Sequence, residues 1–136
     1  MTGSAPQPKK KKRSGIPTGN AGEYFVMGEL LRRGYDAQLA DRNTAAYDLL
    51  VGRATDKALR KVQIKSVRVA PWFVRKSSFA GEALDEVTVY VLIGPERALR
   101  PVRYFIARNR DIAGNVAHPE SWKDNASSFL PLKGME

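Results

Sequence analysis

The chain has 136 residues, an ordinary apolar fraction of 43% and a formal charge of +9, which suits one compact domain with a single core and is too short to argue for two. No window reaches the uninterrupted apolar length that a membrane span needs, and the N-terminus lacks the apolar core of a signal peptide, so a cytoplasmic protein with no membrane partner is expected (or a nuclear one in a eukaryotic host). The absence of cysteine excludes disulfides, thiolate zinc sites and cysteine nucleophiles.

Residues 1–18 are rich in Pro, Gly, Ser and Lys and cannot bury apolar surface, so they read as a disordered lead-in to a single domain over 19–136. Within them Lys9, Lys10, Lys11, Lys12 and Arg13 carry +5 of the charge, with no acid among the first seventeen residues. Such a block is either a solubilising tail or an arm on nucleic acid, and in a eukaryotic host it also passes for a nuclear import signal. Asn20 is a good N-cap for a helix that runs through Arg33 and stops at Gly34. A strand is predicted over Tyr35–Ala40, a turn at Asp41–Thr44, and a second strand over Ala45–Gly52. Residues 53–60 read as a polar connection, long for a tight hairpin, leading into the strand Lys61–Arg68.

Residues 70–86 hold Pro71, Gly81 and many polar positions, and read as a long loop with room for a short helix. Glu86–Gly94 is the most apolar strand and is expected at the centre of the sheet. Val102–Arg108 is a further strand, a short helix starts near Asp111, and Trp122, Phe129 and Leu130 in the tail can cover one side. The pattern is an α/β sandwich: a mixed sheet of about five strands flanked by helices.

Several polar residues fit these elements badly. On the first helix Tyr24, Met27, Leu30 and Leu31 fall on one arc with Val26 at its edge, opposite Glu29, Arg32 and Arg33. Glu23 falls inside the apolar arc. A carboxylate there either curls out to water near the positive helix end or turns inward to a partner or a metal. Asp48 is an acid among apolar strand residues, which is either the wet end of the strand or a chemical site. Gln63 and Lys65 share one face of their strand by the period of two, a pattern that a merely solvated face also gives. The conjunction of helix acid, strand acid and Q-x-K on the next strand is the uncommon feature.

In this order "GEYFVMGELLRRGYDA", "YDLLV" and "VQIKSVR" resemble the small PD-(D/E)xK nucleases, most of all the group that includes archaeal Holliday-junction resolvases and related homing and restriction-type endonucleases. The resemblance covers roughly residues 19–108. It implies a restriction-endonuclease-like core and a DNA endonuclease that uses Mg²⁺, with Mn²⁺ as a substitute, on branched or duplex DNA. It assigns Glu23 to the helix acid, Asp48 to the strand aspartate, Lys65 to the catalytic lysine and Gln63 to the second acidic position. Asp48, Gln63 and Glu23 would then hold the metal. Such an ion neutralises phosphate charge and makes hydroxide available near neutral pH, while a lysine beside it orients or deprotonates the attacking water.

The sequence departs from the family pattern twice. Tyr47 stands where a proline often precedes the aspartate, and Gln63 replaces an acid, so the site loses one negative charge and Glu23 matters more. Arg68, Arg75 and Lys76, with Trp72 and Phe73 between them, form a basic-aromatic stretch that suits phosphate contact and base stacking, unless the two rings fold back onto the core. His118 reads as structural or merely exposed. A homodimer is expected, because a domain this small contacts little DNA and two-strand cleavage needs two sites. The alternatives are an inactive nuclease-fold module that binds nucleic acid, and a small interaction protein whose partner is another protein.

Overall fold

The computed structural model describes residues 15–40, 47–53, 56–118 and 127–135. The basic run Lys9–Arg13, the turn Asp41–Thr44 and Trp122 lie outside the described residues. Helix α1 spans Ile16–Arg32 and starts four residues earlier than Asn20. Pro17 explains this: in a first turn its missing N–H costs no hydrogen bond and its fixed φ suits a helix. The end is as the sequence indicates. Gly34 adopts φ 90°, and the bonds Gly34 N–H to Leu31 C=O and Tyr35 N–H to Leu30 C=O, both 3.0 Å, close the helix as a Schellman motif.

The strands are β1 (Asp36–Leu39), β2 (Leu49–Arg53), β3 (Asp56–Val67), β4 (Trp72–Arg75), β5 (Val87–Leu92), β6 (Arg103–Arg108) and β7 (Ser127–Leu130). Five of them form one mixed sheet in the order β1-β2-β3-β5-β6, in which β3 and β5 are parallel and the other neighbours antiparallel. β3, not β5, is therefore the middle strand, although β5 is interior and almost wholly buried. The expected polar connection over 53–60 is instead largely strand. Arg53 pairs with Asp56, so only residues 54–55 separate β2 from β3. Ala58, Leu59 and Arg60 are exposed, and the register shifts between the pairs Val51–Arg60 and Arg53–Asp56, so this stretch of strand lies at the solvated end of the hairpin.

One face of the sheet carries α1 over a core of Val26, Leu49, Val62, Ile64, Val89, Val91 and Ile93. The helix is rotated from the expected arc. Gly22 and Val26 are buried, whereas Tyr24 and Leu31 are 56% and 49% exposed. The close approach occurs at Gly22: a Cβ there would lie 1.6 Å from Ser66 Oγ. The smallest side chain, not the largest ones, marks where the helix touches β3.

The other face is covered by structure in the segment read as a loop. β4 pairs antiparallel with β7, Trp72 opposite Leu130, and this ribbon packs with Tyr90, Ile112 and α2 (Asn109–Ile112) in a second core. Trp72 is fully buried, donates its ring N–H to Val91 C=O at 3.2 Å, and meets Tyr90 and Phe105 edge-on. Leu130 is buried there as well. Between β4 and β5 the chain makes two 3₁₀ turns, Lys76–Phe79 and Gly81–Asp85. Buried Asn109 ties them down: its amide donates to Ser78 and Ala83 carbonyls at 2.9 and 3.0 Å, and its carbonyl accepts from Thr88 Oγ1 at 2.8 Å.

Candidate active site

The middle strand organises the site. On β3 the even positions Val62 and Ile64 enter the core under α1, and alternation turns Lys61, Gln63 and Lys65 to the opposite face. Gln63 lies beside Thr88 and Lys65 beside Tyr90 on parallel β5. On the other side Leu49 is paired with Val62, so Asp48, one residue before β2, comes opposite Gln63.

Asp48 is fixed by three bonds. Its N–H donates to Val62 C=O at 3.0 Å and its C=O accepts from Ala40 N–H at 3.0 Å. Its carboxylate Oδ2 accepts from the backbone N–H of Ile64 at 2.7 Å, a charge-assisted distance. Ile64 is the residue between Gln63 and Lys65. The carboxylate thus takes the place that a strand carbonyl would occupy in the ladder, because β2 has begun only at Leu49. Among the described residues, β3 from Lys65 to Val67 pairs with β5 alone. This edge of β3 carries the Asp48 carboxylate on Ile64 N–H, with an amide and an amine on the two flanking residues of the strand.

Glu23 is placed differently. It is half-buried on α1, which packs on the face opposite to Gln63 and Lys65, and it follows the Gly22 that stands on Ser66. The helix acid and the strand pair therefore lie on opposite faces of the sheet.

Neighbours that sequence reasoning missed appear on the Gln63 face. Tyr47, Lys61, Gln63 and Glu86 line a cavity of about 100 Å³, and Lys61 Nζ lies 5.2 Å from the centre of the Tyr47 ring. Lys61 was legible from the period of two. Glu86 was not, because its place depends on the parallel register that sets Val62 beside Val87.

The basic-aromatic stretch is divided. Trp72 belongs to the core, whereas Phe73 is 65% exposed. Arg68 precedes β4 and is half-buried, donating from Nη1 to Gly94 C=O at 3.3 Å. Arg75 and Lys76 are exposed at the other end of β4. His118 is half-buried next to the bridge between Ala117 and Phe129.

The donors suit a hard divalent ion, though sparsely. Among the described residues no three His, Asp or Glu side chains cluster as a metal site, yet Mg²⁺ commonly takes only one or two carboxylates and completes its shell with water and phosphate. Asp48 supplies a carboxylate and Gln63, opposite it, a neutral carbonyl oxygen.

No family model and no curated protein matches the chain. Solved structures do. A Holliday junction resolvase, Hjc from Archaeoglobus fulgidus, aligns over 86% of this chain and 86% of its own, with a TM-score of 0.54 and 13% identity. The chain has the restriction-endonuclease-like fold. A bacterial homing endonuclease also aligns, over 86% of this chain and 75% of its own, with a TM-score of 0.49 and 15% identity. In this fold the mixed sheet and the helix on its face are the parts already described, so the expected architecture holds. Among the described residues no helix is long and apolar enough to cross a membrane.

Proposed function

We propose that the chain is a metal-dependent DNA endonuclease of the PD-(D/E)xK type, with its site at the edge of β3 that faces Asp48. The observation that carries this reading is the Asp48 carboxylate bound to Ile64 N–H at 2.7 Å, which seats an acid beside both Gln63 and Lys65. The fold shared with a resolvase supports it, although fold alone does not decide function.

Asp48 and the Gln63 carbonyl hold the ion, with Glu23 reaching the edge from the helix side. Bound Mg²⁺ or Mn²⁺ supplies charge neutralisation at the phosphate and a more acidic water. Lys65, exposed beside that edge, orients or deprotonates the attacking water and offsets charge that develops on the phosphate. The Ile64 N–H fixes which carboxylate oxygen of Asp48 faces the strand, so the other is directed outward without reorganisation. Arg68, Arg75, Lys76 and the run Lys9–Arg13 contact DNA phosphates, and two copies act together to cut both strands.

The test is incubation with supercoiled plasmid, branched junctions and single strands in Mg²⁺ or Mn²⁺. Cutting that is abolished by Asp48→Ala and by Lys65→Ala supports the enzyme. If no substrate is cut, or the variants cut like the parent, the reading fails. Gln63, a neutral side chain in an acid's place, favours one second reading, a nuclease-fold module that binds nucleic acid without cutting it. That module would bind DNA with a steep salt dependence, unaffected by metal or by loss of Asp48.

A further inference from the structure

Of the residues proposed to contact DNA, Arg68 belongs to a trough at the C-terminal ends of the parallel pair β3 and β5. The trough consists of two cavities. One, about 640 Å³, lies between the start of α1, the end of β3 and the start of β4, and is lined by Pro17, Ser66, Arg68, Val69 and Phe73. The second, about 390 Å³, is lined by Arg68, Val69, Gly94, Arg100 and Arg103. Both are within the size range of ligand sites, roughly 300–1,000 Å³. They share Arg68 and Val69, and the bond from Arg68 to Gly94 C=O fixes the guanidinium where they join.

The chemistry of the trough is mixed in a particular way. Phe73 and Val69 are 65% and 67% exposed, an apolar and aromatic wall at one end. Among the described residues three arginines line the trough, against one acid, Glu96, on the Phe73 side. A duplex offers phosphates to arginines but keeps its base faces covered by stacking. A ring platform joined to a cationic groove suits a strand whose bases are unpaired.

We infer that this trough binds the unpaired strand of a branched or frayed DNA substrate, Phe73 stacking on a base while Arg68, Arg100 and Arg103 follow the phosphates. The inference deepens the nuclease reading and takes the position of the cut from it. From Ile64, which holds Asp48, to Arg68 is four residues of extended chain, or about 13 Å. The trough therefore opens within about 13 Å of the strand residue that anchors Asp48, close enough for one DNA strand to reach both.

The test is fluorescence anisotropy of the full chain in EDTA, with a blunt duplex and the same duplex bearing a short thymine arm. The parent is expected to prefer the armed probe. Phe73→Ala should weaken that binding about 5- to 100-fold and leave the blunt duplex unchanged, while Phe73→Tyr keeps the preference. Arg100→Ala with Arg103→Ala should flatten the log–log salt slope for the armed probe by about 1.4, two single-strand phosphates. Both sets alter exposed side chains, and thermal melts confirm that the variants are folded. Equal binding of the two probes by the parent, or equal weakening of both by Phe73→Ala, overturns the inference. Because nothing is cut in EDTA, the two readings fail separately. A chain that discriminates the arm but never cleaves keeps the trough and loses the nuclease; one that cleaves through Asp48 but binds both probes alike does the reverse.

Discussion

Asp48 combines a structural and a chemical demand in one side chain. Its carboxylate completes the β3 ladder at Ile64 N–H, and it is also the one strand acid at the proposed metal position. Substitutions separate the two. Asp48→Asn retains an oxygen acceptor, so its stability should stay within about 1 kcal/mol of the parent while DNA cleavage falls about 100-fold or more. Asp48→Ala leaves the Ile64 N–H without its acceptor and should cost about 1–3 kcal/mol as well. Urea denaturation beside a cleavage assay checks both. At this scale the sequence was informative. A charge inside "AAYDLLVG" was conspicuous, and alternation in "VQIK" was enough to put Gln63 and Lys65 on one face. Glu86, Arg100 and Arg103 were not legible, since no local pattern reveals which distant strand end lies beside them.

Among elements, α1 shows what periodicity captures and what it misses. Gly34 marked the helix end, and the left-handed residue and its two closing bonds are there. The buried face was misjudged because hydrophobicity weights Tyr24 and Leu31, whereas contact is set by how closely backbones approach at Gly22. Gly22→Ala should therefore destabilise by about 1–3 kcal/mol, despite the better helix propensity of alanine. In a Ser66→Gly background, which removes both crowding atoms, the same change should be close to neutral, a coupling that a double-mutant cycle measures. The loop between β4 and β5 depends on Asn109 in a comparable way. Asn109→Ala removes the amide donor from Ser78 C=O, one of two donors from Ala83 C=O and the acceptor of the Thr88 hydroxyl, and a loss of about 1–3 kcal/mol is expected in equilibrium unfolding.

For the whole molecule, the decisive feature is that the sheet is covered twice, by α1 on one face and by the β4–β7 ribbon on the other. The sequence indicated the five-stranded sheet, and the likeness to the resolvase agrees with it. The ribbon was hidden because β4 is four residues long, follows a proline and pairs with a strand far along the chain. Its burial of Tyr90 has a consequence for pH. Burial raises the Tyr90 hydroxyl from 10.0 to about 12, with a bond to Thr88 opposing the shift. Below pH 10 both folded and unfolded chains keep this proton. Between pH 10 and about 12 only the unfolded chain releases it, so stability falls as pH rises, by about 2–3 kcal/mol in total. Denaturation curves for the parent and Tyr90→Phe across this interval should show the slope in the parent and its reduction in the variant.

The proposed chemistry depends on one edge of β3, and on whether the neutral Gln63 still helps to hold an ion there. Single-turnover cleavage of a branched duplex across a magnesium series, by the parent, Asp48→Asn and Gln63→Glu, tests that most directly. The expected result is cleavage by the parent, about 100-fold less by Asp48→Asn, and a half-saturating magnesium concentration roughly tenfold lower for Gln63→Glu, which restores the missing charge. Parent-like cleavage by Asp48→Asn, or no cleavage by any of the three, would contradict it.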